Sequence, residues 1–323
     1  MPEAVLRSLR NTYGETLCRL MEHDERIVVL DADLCRSTMT VLVERRFPSR
    51  FIEMGIAEQN MVATAAGLAL EGKIPFVNSF AVFATGRAYD QIRQAVALAR
   101  LPVKIVGSSA GLSDFGDGAT HQSVEDISLM RSLPNMTVLC PCDAAEVEQM
   151  LPLIVAHAGP VYLRLTRAEL PLLDPGLELK NLAGVRRLRE GGDAVIFATG
   201  AMVFKALEAA SILEAAHIST RVVNVSTLKP LAEGALREEA QGMKAVVTAE
   251  EHSVIGGLGS AVALALRRSA LPMESVGIQD CFGTSGENLE TLMQYYGLTA
   301  RAIVQAVRDL VAPHSAISTP EQS

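Results

Sequence analysis

Residues 51–72 read FIEMGIAEQNMVATAAGLALEG and contain the unit from which the rest of the fold is predicted. A short strand ends near Met54, Gly55 permits a tight turn, and Glu58 falls in the first turn of an Ala-rich helix. Similar β-branched runs alternate with amphipathic or Ala-rich segments on both sides of this stretch. This alternation predicts the α/β class, with helices on both faces of a mostly parallel sheet.

The same pattern divides the chain into two doubly wound domains, 1–168 and 193–323. Between them, residues 169–192 are rich in Pro and Gly and are predicted to form a linker. The polar tail at 314–323 is expected to fray. The predicted strands of the first domain are 27–31, 51–53, 75–79, 103–107, 136–139 and 161–165, and its helices lie near 4–22, 57–70, 86–98 and 144–158. In the second domain the predicted elements are strands near 193–200, 220–224 and 244–249 and a final helix near 299–311.

Composition excludes several classes of protein. The chain has 323 residues, of which 49% are apolar, and 37 acidic against 29 basic residues give it a net charge of −8. This charge repels a nucleic-acid backbone, and no charge-free run reaches the roughly 18 residues of a membrane helix. Five cysteines without a framework spacing, and a start without an apolar signal segment, favour a soluble protein in a reducing compartment, the cytoplasm.

Glu58 and a group of aromatic residues are the first candidates for function, although each also has a structural explanation. Glu58 alone could complement the helix dipole, an effect of about 0.3–1 kcal/mol. Phe76, Phe80, Phe83 and Tyr89 fall within fourteen residues of a chain that has no Trp. They either pack in the core or stack against a flat heteroaromatic ligand at the carboxyl edge of the sheet.

Two Gly-rich segments are candidate binding loops. Residues 108–127, SSAGLSDFGDGATHQSVEDI, follow a predicted strand and are too polar for a core segment. His121 in this loop is either structural or suited to proton transfer and to hydrogen bonding with a sugar hydroxyl. The second segment, Gly256 to Gly259, lacks the G-x-G-x-x-G spacing of a dinucleotide site. Close packing of a helix N-terminus is the preferred interpretation there.

Taken in order, these stretches resemble the C-terminal half of the transketolase family of thiamine diphosphate enzymes, over nearly the whole chain. GIAEQNM resembles the glutamate motif of that family, GDGATHQ with RSLPNMTVLCPCDAAE resembles its substrate loop, and EEHSVIGGLGSAV resembles its C-terminal domain. The resemblance implies a pyrimidine-binding domain over 1–168 and a transketolase C-terminal domain over 193–323.

The resemblance also implies roles for individual residues. Glu58 would be catalytic, hydrogen-bonding the aminopyrimidine ring of thiamine diphosphate and sharing a proton with a ring nitrogen, which an amide cannot do. His121 would help to move protons. The residues implied to bind the cofactor are Glu58, Phe80, Phe83 and Asp33, and those implied to bind the sugar and its phosphate are Arg10, Ser37, Asp117, His121 and Arg167.

The half of a transketolase that holds the diphosphate and Mg²⁺ has no counterpart here. Gly116-Asp117-Gly118 is the only GDG, no asparagine follows it by 25 to 30 residues, and THQ after it identifies the substrate loop instead. With Met1 interpreted as a natural start, we predict one subunit of a split transketolase, with no metal site of its own. Its N-terminal partner subunit would hold Mg²⁺ in an α2β2 heterotetramer built on a homodimeric core, and the chain alone would be inactive.

Several alternatives stay open at this point. Single-chain transketolases carry a second histidine where Ser109 stands and a third ring near Gly86, so these positions leave the donor sugar undecided. A pentose phosphate role and a specialised catabolic route are both compatible with the sequence. The β subunit of a 2-oxoacid dehydrogenase E1 component has a similar layout, and a non-catalytic assembly subunit of the same fold is a further alternative.

Overall fold

The computed structural model describes residues 5–173, 179 and 181–311. The predicted tail at 314–323 and part of the predicted linker lie outside these residues. The strands of the described residues are β1 (Leu6–Ser8), β2 (Ile27–Asp31), β3 (Phe51–Glu53), β4 (Ile74–Phe80), β5 (Lys104–Ser108), β6 (Thr137–Leu139), β7 (Val161–Arg164), β8 (Glu169–Pro171), β9 (Arg186–Arg189), β10 (Ala194–Ala198), β11 (Thr220–Asn224), β12 (Thr227–Lys229), β13 (Ala245–Ser253) and β14 (Met273–Ile278).

Helices alternate with these strands along most of the chain. They are α1 (Leu9–Met21), α2 (Cys35–Thr38), α3 (Val41–Arg46), α4 (Glu58–Leu70), α5 (Tyr89–Gln91), α6 (Asp126–Ser132), α7 (Ala144–Ala156), α8 (Met202–Ala215), α9 (Glu233–Ala240), α10 (Leu258–Ala265), α11 (Leu289–Tyr295) and α12 (Ala300–Val311). Wider π-helical turns at Phe83–Arg87 and Ile92–Ala97 flank α5, and short 3₁₀ turns lie at Pro48–Arg50 and Gly118–Thr120.

The first sheet has seven strands in the order β12-β6-β7-β5-β4-β2-β3. Six of them are parallel, and β12 pairs antiparallel with β6 at the edge. Successive residues of β2 point to opposite faces. Val29 packs with α1 and α7, whereas Leu30 packs with α4 and α6. Both faces are therefore covered, which explains why the strands are apolar throughout rather than alternating.

The second sheet has five strands in the order β14-β13-β10-β11-β9, all parallel except β9. Ile196 of β10 packs with α8 and α12 on one face. Phe197 packs on the other face with α9 and α10, in a core that continues to Val138 and Tyr162 of the first sheet. The two sheets thus share one apolar core across the domain junction.

The structure confirms the α/β class with two doubly wound domains and mostly parallel sheets. The six strands predicted in the first domain are present, each within a residue or two of its predicted ends. The expected helix at 86–98 is instead a run of π-helical turns around α5, and the predicted linker contains β8 and β9. Strand β12, from the second domain, joins the first sheet, a long-range pairing that local pattern does not reveal.

Candidate active site

The predicted site residues gather at one edge of the first sheet. Strands β3, β2, β4 and β5 are parallel, so their carboxyl ends meet at the same edge. Asp33 follows β2, Glu58 follows β3, Phe83 follows β4 and the loop with His121 follows β5. Ligands of open α/β sheets bind beyond this edge.

Glu58 opens α4 and is 3% exposed. Its Oε2 atom has no hydrogen-bond partner among the described residues. The turn before it is shaped by Glu53, whose Oε1 accepts hydrogen bonds of 2.8 Å from the backbone N–H groups of Gly55 and Asp33. Gly55 has φ +65°, which favours glycine. A buried carboxylate oxygen without a partner is costly to the protein alone, so this arrangement fits an acceptor waiting for a ligand.

Phe80, Phe83 and His121 form an aromatic cluster. The two phenylalanine rings are stacked, with centroids 6.2 Å apart and planes 15° from parallel. The imidazole of His121 meets both rings edge-on, with centroids 5.3 Å from Phe83 and 6.2 Å from Phe80. Its Nδ1 atom is 2.9 Å from the hydroxyl of Thr120. The cluster combines a flat apolar surface with a group that can donate or accept a proton.

A second cluster contains the arginines. The Arg10 guanidinium donates to the backbone carbonyl of Ser37, and Arg167 Nη1 lies 3.2 and 3.3 Å from the two carboxylate oxygens of Asp114. Burial and the neighbouring Arg167 charge lower the pKa of Arg10, while Asp114 and Glu169 oppose this. Pairing of β1 with β8 places Arg10 and Arg167 close to one another in the fold. Together they can receive an anion.

The loop between β5 and α6 carries the remaining predicted residue, Asp117, which is exposed. Burial raises the pKa of Asp114, the nearby Asp117 carboxyl adds to this, and Arg167 opposes it. Gln122 fixes the loop, because its Nε2 donates to the carbonyls of Asp114 and Thr284 at 3.2 and 3.1 Å. The loop is therefore held against the second domain.

Sequence reasoning missed Asp31, which fixes the segment after β2 by hydrogen bonds. Its fully buried carboxylate accepts hydrogen bonds from the hydroxyls of Thr38 and Thr40 at 2.7 and 2.8 Å and from the N–H of Leu34 at 2.7 Å. Burial raises the pKa of Asp31 to about 6, and these hydrogen bonds oppose the rise. The network shapes the segment that carries Asp33 and Ser37. Thr38 and Thr40, which follow DADL within a few residues, were a sequence signal for this buried network.

A buried polar network also lies beneath the loop. Asp126 Oδ2 accepts from Arg164 Nε at 2.8 Å and from the Tyr162 hydroxyl at 2.6 Å. Arg164 Nη2 donates a hydrogen bond of 2.9 Å to the backbone carbonyl of Glu251. Glu251 Oε1 accepts a hydrogen bond of 2.7 Å from the backbone N–H of Leu112. Burial raises the pKa of Glu251 to about 7. These contacts join the site loop to β13 of the second domain.

The predicted residues therefore form separate groups at this edge of the sheet and do not all contact one another. Among the described residues, Glu58 and Asp33 form no hydrogen bond or ion pair with the aromatic or arginine clusters. The same part of the chain contains no group of three His, Cys, Asp or Glu side chains that could hold a metal ion. None of its helices is long and apolar enough to span a membrane.

Comparison with known families matches both halves of the chain. Residues 7–172 match the family described as "Transketolase, pyrimidine binding domain", and residues 183–303 match "Transketolase, C-terminal domain".

Individual relatives give the same result. The chain is 46% identical over 303 residues to the "6-deoxy-6-sulfo-D-fructose transketolase subunit SqwH" of Clostridium sp. (strain MSTE9), with 94% of each chain covered. A solved structure described as "Split gene transketolase, inactive beta4 tetramer" is 46% identical, with a TM-score of 0.85 over 94% of this chain and 98% of that one. The transketolase from Leishmania mexicana, 24% identical, shares the fold with a TM-score of 0.82, and the match covers 46% of its length.

Proposed function

This chain belongs to the transketolase family, and we propose that it is the C-terminal, or β, subunit of a split thiamine diphosphate-dependent transketolase. As the sequence resemblance implies, it would move a two-carbon ketol unit from a ketose phosphate to an aldose phosphate, and only in complex with an N-terminal partner subunit.

The observation that carries the proposal is the unpartnered Oε2 atom of buried Glu58. A carboxylate in this position fits the aminopyrimidine ring of thiamine diphosphate, which offers a ring nitrogen to hydrogen-bond with. The rings of Phe80 and Phe83 fit the flat face of the same group. Asp33, in the turn shared with Glu53, lies at the same edge of the sheet. These four residues would hold the pyrimidine half of the cofactor.

When bound, thiamine diphosphate supplies the carbon nucleophile that carries the two-carbon unit. Glu58 would hold a proton at the ring nitrogen, and the low-polarity surroundings of Phe80 and Phe83 would strengthen that hydrogen bond. His121 would pass a proton to or from a substrate hydroxyl, with the Thr120 hydroxyl orienting its ring. Asp117 would accept a hydrogen bond from a donor hydroxyl.

Arg10, Ser37 and Arg167 would bind the acidic end of the sugar. Two guanidinium groups near one another suit an oxyanion, because each can donate two hydrogen bonds in a fixed fork. The anion would also anchor the substrate, so that its reacting carbonyl reaches the cofactor in a defined position. Arg10 lies on α1, Ser37 in α2 and Arg167 just before β8, so regular elements give the anion site a rigid base.

The partner requirement rests on what the chain offers. Its described residues provide a surface for the pyrimidine half of the cofactor but no metal-binding group for the diphosphate and Mg²⁺. The solved β4 tetramer, 46% identical to this chain, is described as inactive. We therefore assign Mg²⁺ and the diphosphate to an N-terminal subunit and expect an α2β2 assembly on a homodimeric core.

The test is reconstitution. The chain, a candidate N-terminal subunit and an equimolar mixture are assayed with thiamine diphosphate and Mg²⁺ for ketol transfer from xylulose 5-phosphate and from other acidic ketoses to ribose 5-phosphate, with the mass of each assembly measured by light scattering. The proposal predicts activity and an α2β2 mass only in the mixture. Equal activity from the chain alone would contradict the partner requirement. Decarboxylation of a 2-oxo acid without any ketol transfer would contradict the transketolase assignment.

A further inference from the structure

We propose that Asp114 is a specificity-determining residue, which lowers the positive charge of the anion site so that it prefers a sugar ending in a monoanionic group, such as a sulfonate, over one ending in a phosphate dianion. The proposal rests on the proposed function, because it concerns the acidic end of the transketolase substrate.

Asp114 is a fixed part of the anion site. Its side chain is 5% exposed, whereas that of its partner Arg167 is 40% exposed. Both carboxylate oxygens face Arg167 Nη1, at 3.2 and 3.3 Å. The backbone around the pair is also bonded, since Gln122 Nε2 donates to the Asp114 carbonyl and Arg167 N–H donates to the hydroxyl of Ser113. These contacts hold the Asp114 carboxylate beside Arg167.

Asp114 reduces the positive charge that the site offers to the substrate. Arg10 and Arg167 contribute two positive charges, and Asp114 returns one negative charge to the same neighbourhood. These charges lie near one another: burial lowers the pKa of Arg10 most, the Arg167 charge lowers it further, and the Asp114 and Glu169 carboxylates oppose this. The Nε atom of Arg10 is buried without a partner among the described residues, which leaves a donor for the ligand. Arg10, Arg167 and Asp114 together carry a single net positive charge, and the exposed carboxylate of Glu169 adds a weaker negative contribution that solvent screens.

Phosphate and sulfonate ligands differ in charge near neutral pH. A phosphate monoester carries about −1.5 to −2 near pH 7, since its second pKa is about 6. A sulfonate carries one negative charge over the same pH range. Asp114 is buried beside the partly exposed Arg167, so a second ligand charge faces the Asp114 carboxylate with less solvent screening than at an open surface. Such a like-charge contact acts against the dianionic ligand. A monoanion instead neutralises the single net positive charge of Arg10, Arg167 and Asp114.

The experiment uses the reconstituted complex and two ketoses of one skeleton, fructose 6-phosphate and 6-deoxy-6-sulfofructose, with one acceptor. The ratio of their kcat/KM values is measured at several pH values for wild type and for Asp114→Asn. Both ketoses use the same catalytic groups, so the pH dependence of those groups cancels in the ratio. We expect wild type to prefer the sulfonate at pH 8 and to regain phosphate activity toward pH 5.5, where the phosphate becomes a monoanion.

In Asp114→Asn we expect the ratio to shift toward phosphate by on the order of tenfold at pH 8, mainly through KM, and to depend less on pH. Glu169→Gln is the matched control, because Glu169 is an exposed acid that also acts on Arg10. It should shift the ratio much less. An equal loss with both ketoses in Asp114→Asn would overturn the proposal and leave Asp114 as an orienting partner of Arg167. Wild-type preference for phosphate at pH 8 would also overturn it.

Failure of the proposed function has a different signature. In that case the wild-type complex would transfer a ketol unit from neither ketose, nor from xylulose 5-phosphate, and both proposals would fall together. Transfer with an unchanged substrate ratio in Asp114→Asn overturns only the specificity proposal.

Discussion

Asp126→Asn tests whether the buried network beneath the site loop stabilises the fold. The carboxylate of Asp126 is fully buried and accepts hydrogen bonds from Arg164 Nε at 2.8 Å and from the Tyr162 hydroxyl at 2.6 Å. Burial alone would raise the pKa of Asp126, but the Arg164 guanidinium holds it below its usual value. The pair is therefore ionised, and its charges compensate one another.

The size of the effect follows from what the substitution leaves behind. Asparagine fills the same space, and its amide oxygen can still accept one hydrogen bond, but it removes the negative charge. Arg164, whose side chain is 4% exposed, would remain charged in the interior without a counterion. Breaking a buried pair in this way costs about 3–5 kcal/mol of unfolding free energy. Tyr162→Phe, which removes one hydrogen bond to a charged group, should cost about 1.5–3 kcal/mol.

Urea unfolding of the purified chain, followed by circular dichroism and by intrinsic tyrosine fluorescence, measures these differences. Glu233→Gln is the control, because it breaks the exposed pair between Glu233 and Arg237, at 3.0 Å, and should change stability by less than about 0.5 kcal/mol. A loss below about 1 kcal/mol in Asp126→Asn, or one equal to that of the control, would refute the role of this network.

Three further predictions concern the same region. Burial raises the pKa of Glu251 to about 7, so its contribution to stability is complete below about pH 4 and is lost as the pH rises through 7. Glu251→Gln should flatten the decline of Tm between pH 5 and 8, and an unchanged decline would contradict this. A Cβ on Gly257 would overlap Glu250 Oε2, so Gly257→Ala should cost about 1–3 kcal/mol of unfolding free energy in urea. Gly67→Ala, in open space in α4, should stabilise by about 0.5–1 kcal/mol. Equal effects of the two alanines would contradict the packing argument. Phe83→Ala in the reconstituted complex should raise the Kd of thiamine diphosphate by calorimetry on the order of tenfold, and unchanged binding would argue against the stacking role.

Most of the fold could be predicted from the sequence because each strand has a recognisable local pattern. Runs such as Ile27–Asp31 are apolar on both faces and are bounded by turn residues, so both their existence and their ends are readable. The π-helical turns at Phe83–Arg87 were not readable, because the sequence pattern of a wider turn resembles that of an α-helix. The antiparallel β12 was missed because its partner β6 lies about ninety residues earlier in the chain.

The candidate site was predictable in part for a similar reason. Residues directly after parallel strands share one edge of the sheet, so placing Glu58, Phe80 and His121 near that edge needed only the strand pattern. The partner of Arg167 was not predicted. Asp114 and Asp117 stand in one Gly-rich loop, and only the folded loop decides which acid turns inward, where Asp114 is buried and Asp117 is exposed. Burial of polar side chains is a tertiary property that local spacing does not encode.

Glu58→Gln tests most directly whether this chain supplies the glutamate of a thiamine diphosphate enzyme. The unpartnered Oε2 atom brings the protein alone no stabilising contact, so the variant should unfold at the same or a higher temperature than wild type. In the reconstituted complex, ketol transfer should fall by about 10²–10⁴-fold, because an amide cannot hold the proton that the carboxylate shares. A variant that retains transfer within tenfold of wild type would contradict the claim.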